Sequence, residues 1–183
     1  MTTHRRDLVR RGASLAALAL AAIAVSATSK STCILGTGES TALLLKTAPG
    51  EARSEKVEIR ASTDDLSSVR AWGKMRGTID SPGGEASEVT LSVRPLDFEG
   101  PEDVQRLAAE PGQTTYFYLS FAGLEQRLPK AGIATYQFSL TVVRGSPSIS
   151  TTAVVYLEPQ SSESGCPSSE SSMIPVEVTL SSL

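Results

Sequence analysis

Apolar residues at every second position constrain this chain more than any other feature. Val57, Ile59 and Ala61 alternate with Lys56, Glu58 and Arg60, and Val89, Leu91 and Val93 alternate with Thr90, Ser92 and Arg94. Tyr136, Phe138, Leu140 and Val142 alternate with Gln137, Ser139 and Thr141, and Ile174, Val176, Val178 and Leu180 alternate with Pro175, Glu177 and Thr179. A strand turns successive side chains to opposite faces, so this period marks strands with one buried face. Residues 41–46, 71–79, 114–121 and 150–157 are less regular strands of the same kind. Turn-formers divide them: Pro49-Gly50, Ser81-Pro82-Gly83-Gly84, Pro111-Gly112 and Gly145-Ser146-Pro147. Without any strand–helix alternation, the pattern predicts an all-β fold. We expect an immunoglobulin-like or Greek-key β-sandwich of about 7–9 strands with one short helix.

The helix is expected just after Gly100. Pro101 suits a first helical position, and Glu102 and Asp103 suit the first turn, where the helix dipole favours acids. Val104, Leu107 and Ala108 then share a helical face, and Pro111-Gly112 ends it. The stretch "LPKAGIATYQF", Leu128 to Phe138, resembles the corner at which an immunoglobulin-like domain enters one of its last strands. The resemblance implies that the Tyr136 hydroxyl bonds back to the backbone.

Ahead of the strands, Arg5, Arg6, Arg10 and Arg11 precede an apolar stretch from Gly12 to Val25, and Val25-Ser26-Ala27 supplies small residues for cleavage. This reads as a signal peptide over residues 1–27 and makes the product an exported protein, periplasmic or extracellular, of bacterial type. The apolar stretch falls short of the ~20 residues a membrane helix needs. Arg5-Arg6-Asp7-Leu8-Val9-Arg10 resembles a twin-arginine motif, and the same residues also suit an ordinary secretory n-region. The remainder, residues 28–183, is expected to be a single domain with no membrane span. Its 13 cations against 19 anions give a formal charge of −6. That balance argues against nucleic acid as a partner.

The only histidine is His4, within the signal. Residues 28–183 therefore lack the base of Ser-His-Asp and Cys-His catalysis and the commonest ligand of zinc and copper. No Ser-x-x-Lys motif occurs either. We expect no catalytic residues, no metal site and no cofactor. The two cysteines, Cys33 and Cys166, are expected to pair in an oxidising compartment. Closing so long a loop contributes on the order of 4–5 kcal/mol in the chain-entropy account. The bridge would pin an exposed Ser-rich loop over residues 158–173, "EPQSSESGCPSSESS" and Met173, too polar to fix its own conformation.

The candidate binding residues lie in "RAWGKMRG". In a strand, Arg70, Trp72, Lys74 and Arg76 point one way while Ala71, Met75 and Ile79 point the other. A Trp set among cations suits a sugar ring or an anionic polymer; in the reversed register it is a core residue. The acidic run Asp97, Glu99, Glu102 and Asp103 has the chemistry of a calcium loop but not its spacing, and reads as a solvated loop. The expected function is that of a non-enzymatic binding or structural module of the cell envelope or surface, with an envelope or surface component as partner. Two other functions fit the residues less well. One is a filament subunit that exchanges the apolar strand "STALLLKTA", residues 40–48. The other is a carboxylate- or calcium-dependent hydrolase.

Overall fold

A computed structural model describes residues 33–44, 48–62, 66–160 and 173–183. The signal segment, Asp64-Asp65, Cys166 and most of the Ser-rich loop lie outside the described residues. Among the described residues nine strands occur in chain order: β1 (Gly36–Leu44), β2 (Ala52–Ala61), β3 (Val69–Asp80), β4 (Ser87–Pro95), β5 (Asp103–Ala109), β6 (Thr114–Ser120), β7 (Ile133–Arg144), β8 (Ser148–Pro159) and β9 (Val176–Ser182). One helix, α1 (Leu124–Ala131), separates β6 from β7. The strands form two antiparallel sheets, ordered β1-β8-β3-β6 and β5-β4-β7-β2-β9. This is the expected β-sandwich. Every connection except the β4–β5 hairpin carries the chain from one sheet to the other.

The alternating residues fill the space between the sheets. Val57 and Ile59 of β2, Val89, Leu91 and Val93 of β4, and Tyr136, Phe138 and Leu140 of β7 are all buried. They meet Ala71, Met75 and Ile79 of β3, Phe117 and Leu119 of β6, and Ala153, Val155 and Leu157 of β8 in one core. Burying each larger side chain is worth about 1.5–3 kcal/mol, which stabilises the otherwise local strand preference.

The expected helix over residues 101–109 is instead strand β5, and this corrects our reading of the sequence. β5 pairs with the edge of β4, Leu107 opposite Val89 and Val104 opposite Ser92. Leu107 is half-buried whereas Val104 and Ala108 are exposed, a period of two. The open edge of β4 offers a ladder of backbone partners, and that tertiary gain overrides the local N-terminal signals of Pro101 and Glu102. Asp103, read as a helix-dipole acid, accepts from the Ser120 backbone N–H at 2.7 Å.

The helix lies at Leu124–Ala131, where Pro129 concealed it from sequence reading. Leu124 and Leu128, one turn apart, are fully buried. Gly132, at φ 66°, takes the left-handed position that follows the helix, and its N–H donates to the Leu128 carbonyl at 2.7 Å. Packed on both β3 and β7, α1 spans the two sheets at one end of the core. Beside it the Tyr136 hydroxyl donates to the Ala122 carbonyl at 3.0 Å. The hydroxyl thus meets the backbone, as the corner resemblance implied, but its acceptor lies 14 residues upstream, on the far side of α1 in the chain.

Both lateral margins of the sandwich are covered. At one, β5 and β6 are laced by side chains: Thr115 Oγ1 donates to the Ala108 carbonyl at 3.0 Å, and Gln105 Nε2 donates to the Tyr118 carbonyl. At the other, the Ile174 N–H donates to the Leu35 carbonyl at 2.7 Å. A Cβ at Gly36 would stand 2.4 Å from the Ile174 carbonyl oxygen, and one at Gly38 would stand 2.7 Å from that of Val176. Only glycine lets β1 approach β9 so closely.

Candidate binding face

β3 is an inner strand of the four-stranded sheet, hydrogen-bonded to β8 on one side and β6 on the other. Its inward side chains Ala71, Met75 and Ile79 are buried, so Arg70, Trp72, Lys74 and Arg76 all project from the outer face. The strand register predicted from the sequence holds, and Trp72 is 37% exposed instead of a core residue.

The cross-strand register extends this row of four into a surface. Trp72 stands opposite Tyr156 of β8, which stands opposite Thr37 of β1. Lys74 stands between Val154 and Ser120, Arg76 between Thr152 and Tyr118, and Thr78 between Ser150 and Tyr116. Residues directly opposite share a face, so all of these point outward. Trp72 and Tyr156 are stacked, with ring centroids 4.4 Å apart and planes inclined by 24°. Tyr118 and Tyr116 are 56% and 66% exposed, which leaves each ring open to a ligand. The chain has one Trp and four Tyr. The Trp and three of those Tyr share this face, while Tyr136 is buried on the other side of the core.

The cations of the face have loose partners. Lys74 Nζ lies 5.0 Å from the centroid of the Tyr118 ring. Arg76 is 3.8 Å from Glu39, and Arg70 stands opposite Glu158 in the register. Among the described residues neither Arg70 nor Lys74 forms an ion pair. The five-stranded sheet is different: Arg53, Lys56 and Arg60 pair with Glu51 or Glu58 at 2.7–3.1 Å. These contacts hold the Glu51 and Glu58 carboxyls below the usual range; the leading cause is the Ala48 N–H for Glu51 and the Arg60 bond for Glu58.

Two hollows lie on or beside the face. One, of about 320 Å³, is lined by Arg76, Thr78, Tyr116, Tyr118, Ser150 and Thr152. The other, of about 630 Å³, is bounded by Trp72, Lys74, Phe121, Gln126 and two carboxylates, Glu99 and Glu125. A larger hollow of about 810 Å³, where Arg60 and Leu66 meet Lys130, has no aromatic ring in its lining.

The acidic run does not assemble into a site. Asp97 accepts from the Thr135 N–H at 3.1 Å and pairs with Arg127 at 3.2 Å, and Asp103 is committed to Ser120. Among the described residues no three His, Cys, Asp or Glu side chains converge as metal ligands. Cys33 is not a free thiol, and the other half of the expected bridge lies outside the described residues. Among the described residues no helix is long and apolar enough to cross a membrane.

Sequence reading found the β3 row but missed Tyr116, Tyr118 and Tyr156. The first two carry a usable signal, since they alternate with the buried Phe117 and Leu119. Tyr156 has none, because it lies inside the unbroken apolar run Ala153-Val154-Val155-Tyr156-Leu157.

No protein-family model and no curated protein matches the chain. Among solved structures, it is similar to a chain described as PfGH50B at 9% identity, over 67% of this chain and 22% of that one, with a TM-score of 0.29. It is also similar to an exo-beta-agarase at 12% identity, over 72% and 24% of the two chains, again at 0.29. This chain spans less than a quarter of the length of either. Scores that low carry no argument about the protein.

Proposed function

We propose that this protein is an exported, non-enzymatic binding module of the cell envelope or surface, and that it holds a sugar polymer against the outer face of its four-stranded sheet. One observation carries the reading: the only Trp and three of the four Tyr are gathered on one solvent-facing surface. Large aromatic rings left in solvent cost free energy unless a ligand covers them, and flat rings suit the C–H faces of sugars. Thr37, Thr78, Ser120, Ser150 and Thr152 set hydroxyls among the rings, able to donate to and accept from sugar hydroxyls. At about 3.3 Å per residue, the Trp72 and Tyr116 rows lie roughly 20 Å apart, long enough for several linked rings. Export rests on the N-terminal segment, and the absence of histidine from residues 28–183 supports a role without turnover.

The test is sedimentation with insoluble envelope and surface polysaccharides. Wild-type protein co-sediments with at least one, whereas Trp72→Ala and Tyr118→Ala stay in solution with unchanged melting temperatures. Equal binding by wild type and both variants overturns the reading.

A hydrolase is the second reading, favoured by one feature: Glu99 and Glu125 share a hollow with Trp72. It requires release of reducing ends from a glycan that the wild type cleaves and Glu125→Gln does not. A filament subunit draws less support, because strand exchange uses an open sheet edge and the edge strands here lie against one another across the sandwich, β5 with β6 and β1 with β9.

A further inference from the structure

Resting on the proposed sugar-binding face, we infer that the polymer it takes is acidic, a polyuronate whose carboxylates are met by Lys74 and Arg76. The chain as a whole is acidic, with a formal charge of −3, yet every charged outward side chain from Arg70 to Arg76 is a cation. Lys74 lies between the two aromatic groups, Trp72 with Tyr156 at one end and Tyr118 with Tyr116 at the other, and Arg76 stands level with Tyr118. A sugar chain stacked on both groups therefore passes over Lys74 and beside Arg76.

Their availability is the second part of the argument. On the five-stranded sheet Arg53, Lys56 and Arg60 are held by carboxylates within 3.1 Å. On the aromatic face Lys74 lies beside the Tyr118 ring and borders the hollow that also holds Glu99 and Glu125, with no ion pair to either among the described residues, and Arg76 reaches Glu39 at 3.8 Å, too far for a hydrogen-bonded pair. A guanidinium in that state has its planar fork free for a bidentate carboxylate. The flanking carboxylates Glu39 and Glu158 lie on the neighbouring strands β1 and β8. The hydroxyls and stacked rings suit a polysaccharide better than a membrane surface, which rewards protruding aliphatic side chains.

Alginate and polygalacturonate, each beside its carboxyl-reduced neutral counterpart, test this by affinity electrophoresis and titration calorimetry. At least one polyuronate binds, and carboxyl reduction weakens it about tenfold, the effect of a few partly exposed charge contacts. The double variant Lys74→Gln/Arg76→Gln, whose substitutions lie on the surface, binds about tenfold more weakly and no longer distinguishes the two forms. Raising NaCl from about 0.05 to 0.5 M weakens the wild type and leaves that variant little changed. If the reduced polymer binds as tightly as its parent while Trp72→Ala still abolishes binding, the acidic ligand is wrong and the sugar-binding face stands. If no polymer binds, or phosphatidylglycerol vesicles bind more tightly than any polymer, both readings fall.

Discussion

Replacing Tyr136 by Phe removes a single oxygen from a fully buried side chain and leaves its packing unchanged. The hydroxyl donates to the Ala122 carbonyl at 3.0 Å, tying β7 to the segment that leads into α1. Phe98 meets the ring edge-on, at 5.6 Å and 89°, and Phe121 packs against it at 4.9 Å; both contacts survive in the variant. With no cavity opened, the cost is that of the hydrogen bond alone. An orphaned buried carbonyl costs about 1–3 kcal/mol, and Ala122 is only half-buried, so water regains part of the bond. We expect a loss of about 1.5 kcal/mol, equivalent to about 3–6 °C in Tm for a domain of this size. Urea titration of Tyr136→Phe beside Tyr118→Phe measures it, the second variant losing only an exposed hydroxyl and moving by less than about 0.5 kcal/mol. Equal stabilities for the two variants would refute the reasoning. An alkaline titration adds an independent check. Burial pushes the Tyr136 phenol well above its ordinary value, with Glu125 and Asp97 adding to the effect. The stability this represents is complete below about pH 10 and is lost as pH climbs toward the higher folded value, so the gap between wild type and Tyr136→Phe narrows there.

Three further outcomes test the fold. Leu128→Ala empties a fully buried site beneath α1 and lowers stability by about 2–5 kcal/mol in denaturant titration, while polymer binding at saturating protein stability is retained. Gly38→Val drives a side chain into the Val176 backbone and costs at least about 1–3 kcal/mol, seen as a lower Tm, whereas Gly84→Ala, in open space and without a left-handed backbone, costs less. Glu55 points inward at the end of β2 with one carboxyl oxygen buried and unpaired, and burial raises its pKa despite nearby Arg53. Its raised value means that stability is greatest below the unfolded carboxyl pKa and is lost as pH rises through the folded one. Glu55→Gln removes this component, so the variant gains stability relative to the wild type as pH rises between about 4 and 7, by under about 1 kcal/mol because the group is partly in solvent.

Eight of the nine strands were legible because the two faces of each strand meet different solvents, and the chain writes that difference at every second residue. β5 was not. Its residues satisfy a helical face and a strand face equally, and the open edge of β4 decides between them, which no local pattern records. Pro129 hid α1 for the opposite reason: a proline in its last turn removes one hydrogen bond, but two buried leucines more than offset that loss. At the binding face, Trp72 and its cations followed from alternation. Tyr156 did not, because β8 lies between β1 and β3 and Val154 is buried even though it faces outward. With an apolar residue on the outer row as well as the inner one, the period of two vanishes from this part of the sequence. That Tyr156 stacks on Trp72 depends on a register set by strands some eighty residues apart in the chain.

The route of the chain between the sheets has a consequence for how the protein is made. β1 pairs with β8 and β2 with β9, so the first strands synthesised wait for the last. Apart from the β4–β5 hairpin, no pair of neighbours in the sequence can close a ladder while the rest is still on the ribosome. Such wiring defers completion of both sheets until β8 and β9 are available, and long-range pairing of this kind is slow. Until then the apolar faces of the earlier strands lack part of their partners, which makes them surfaces that a chaperone can bind.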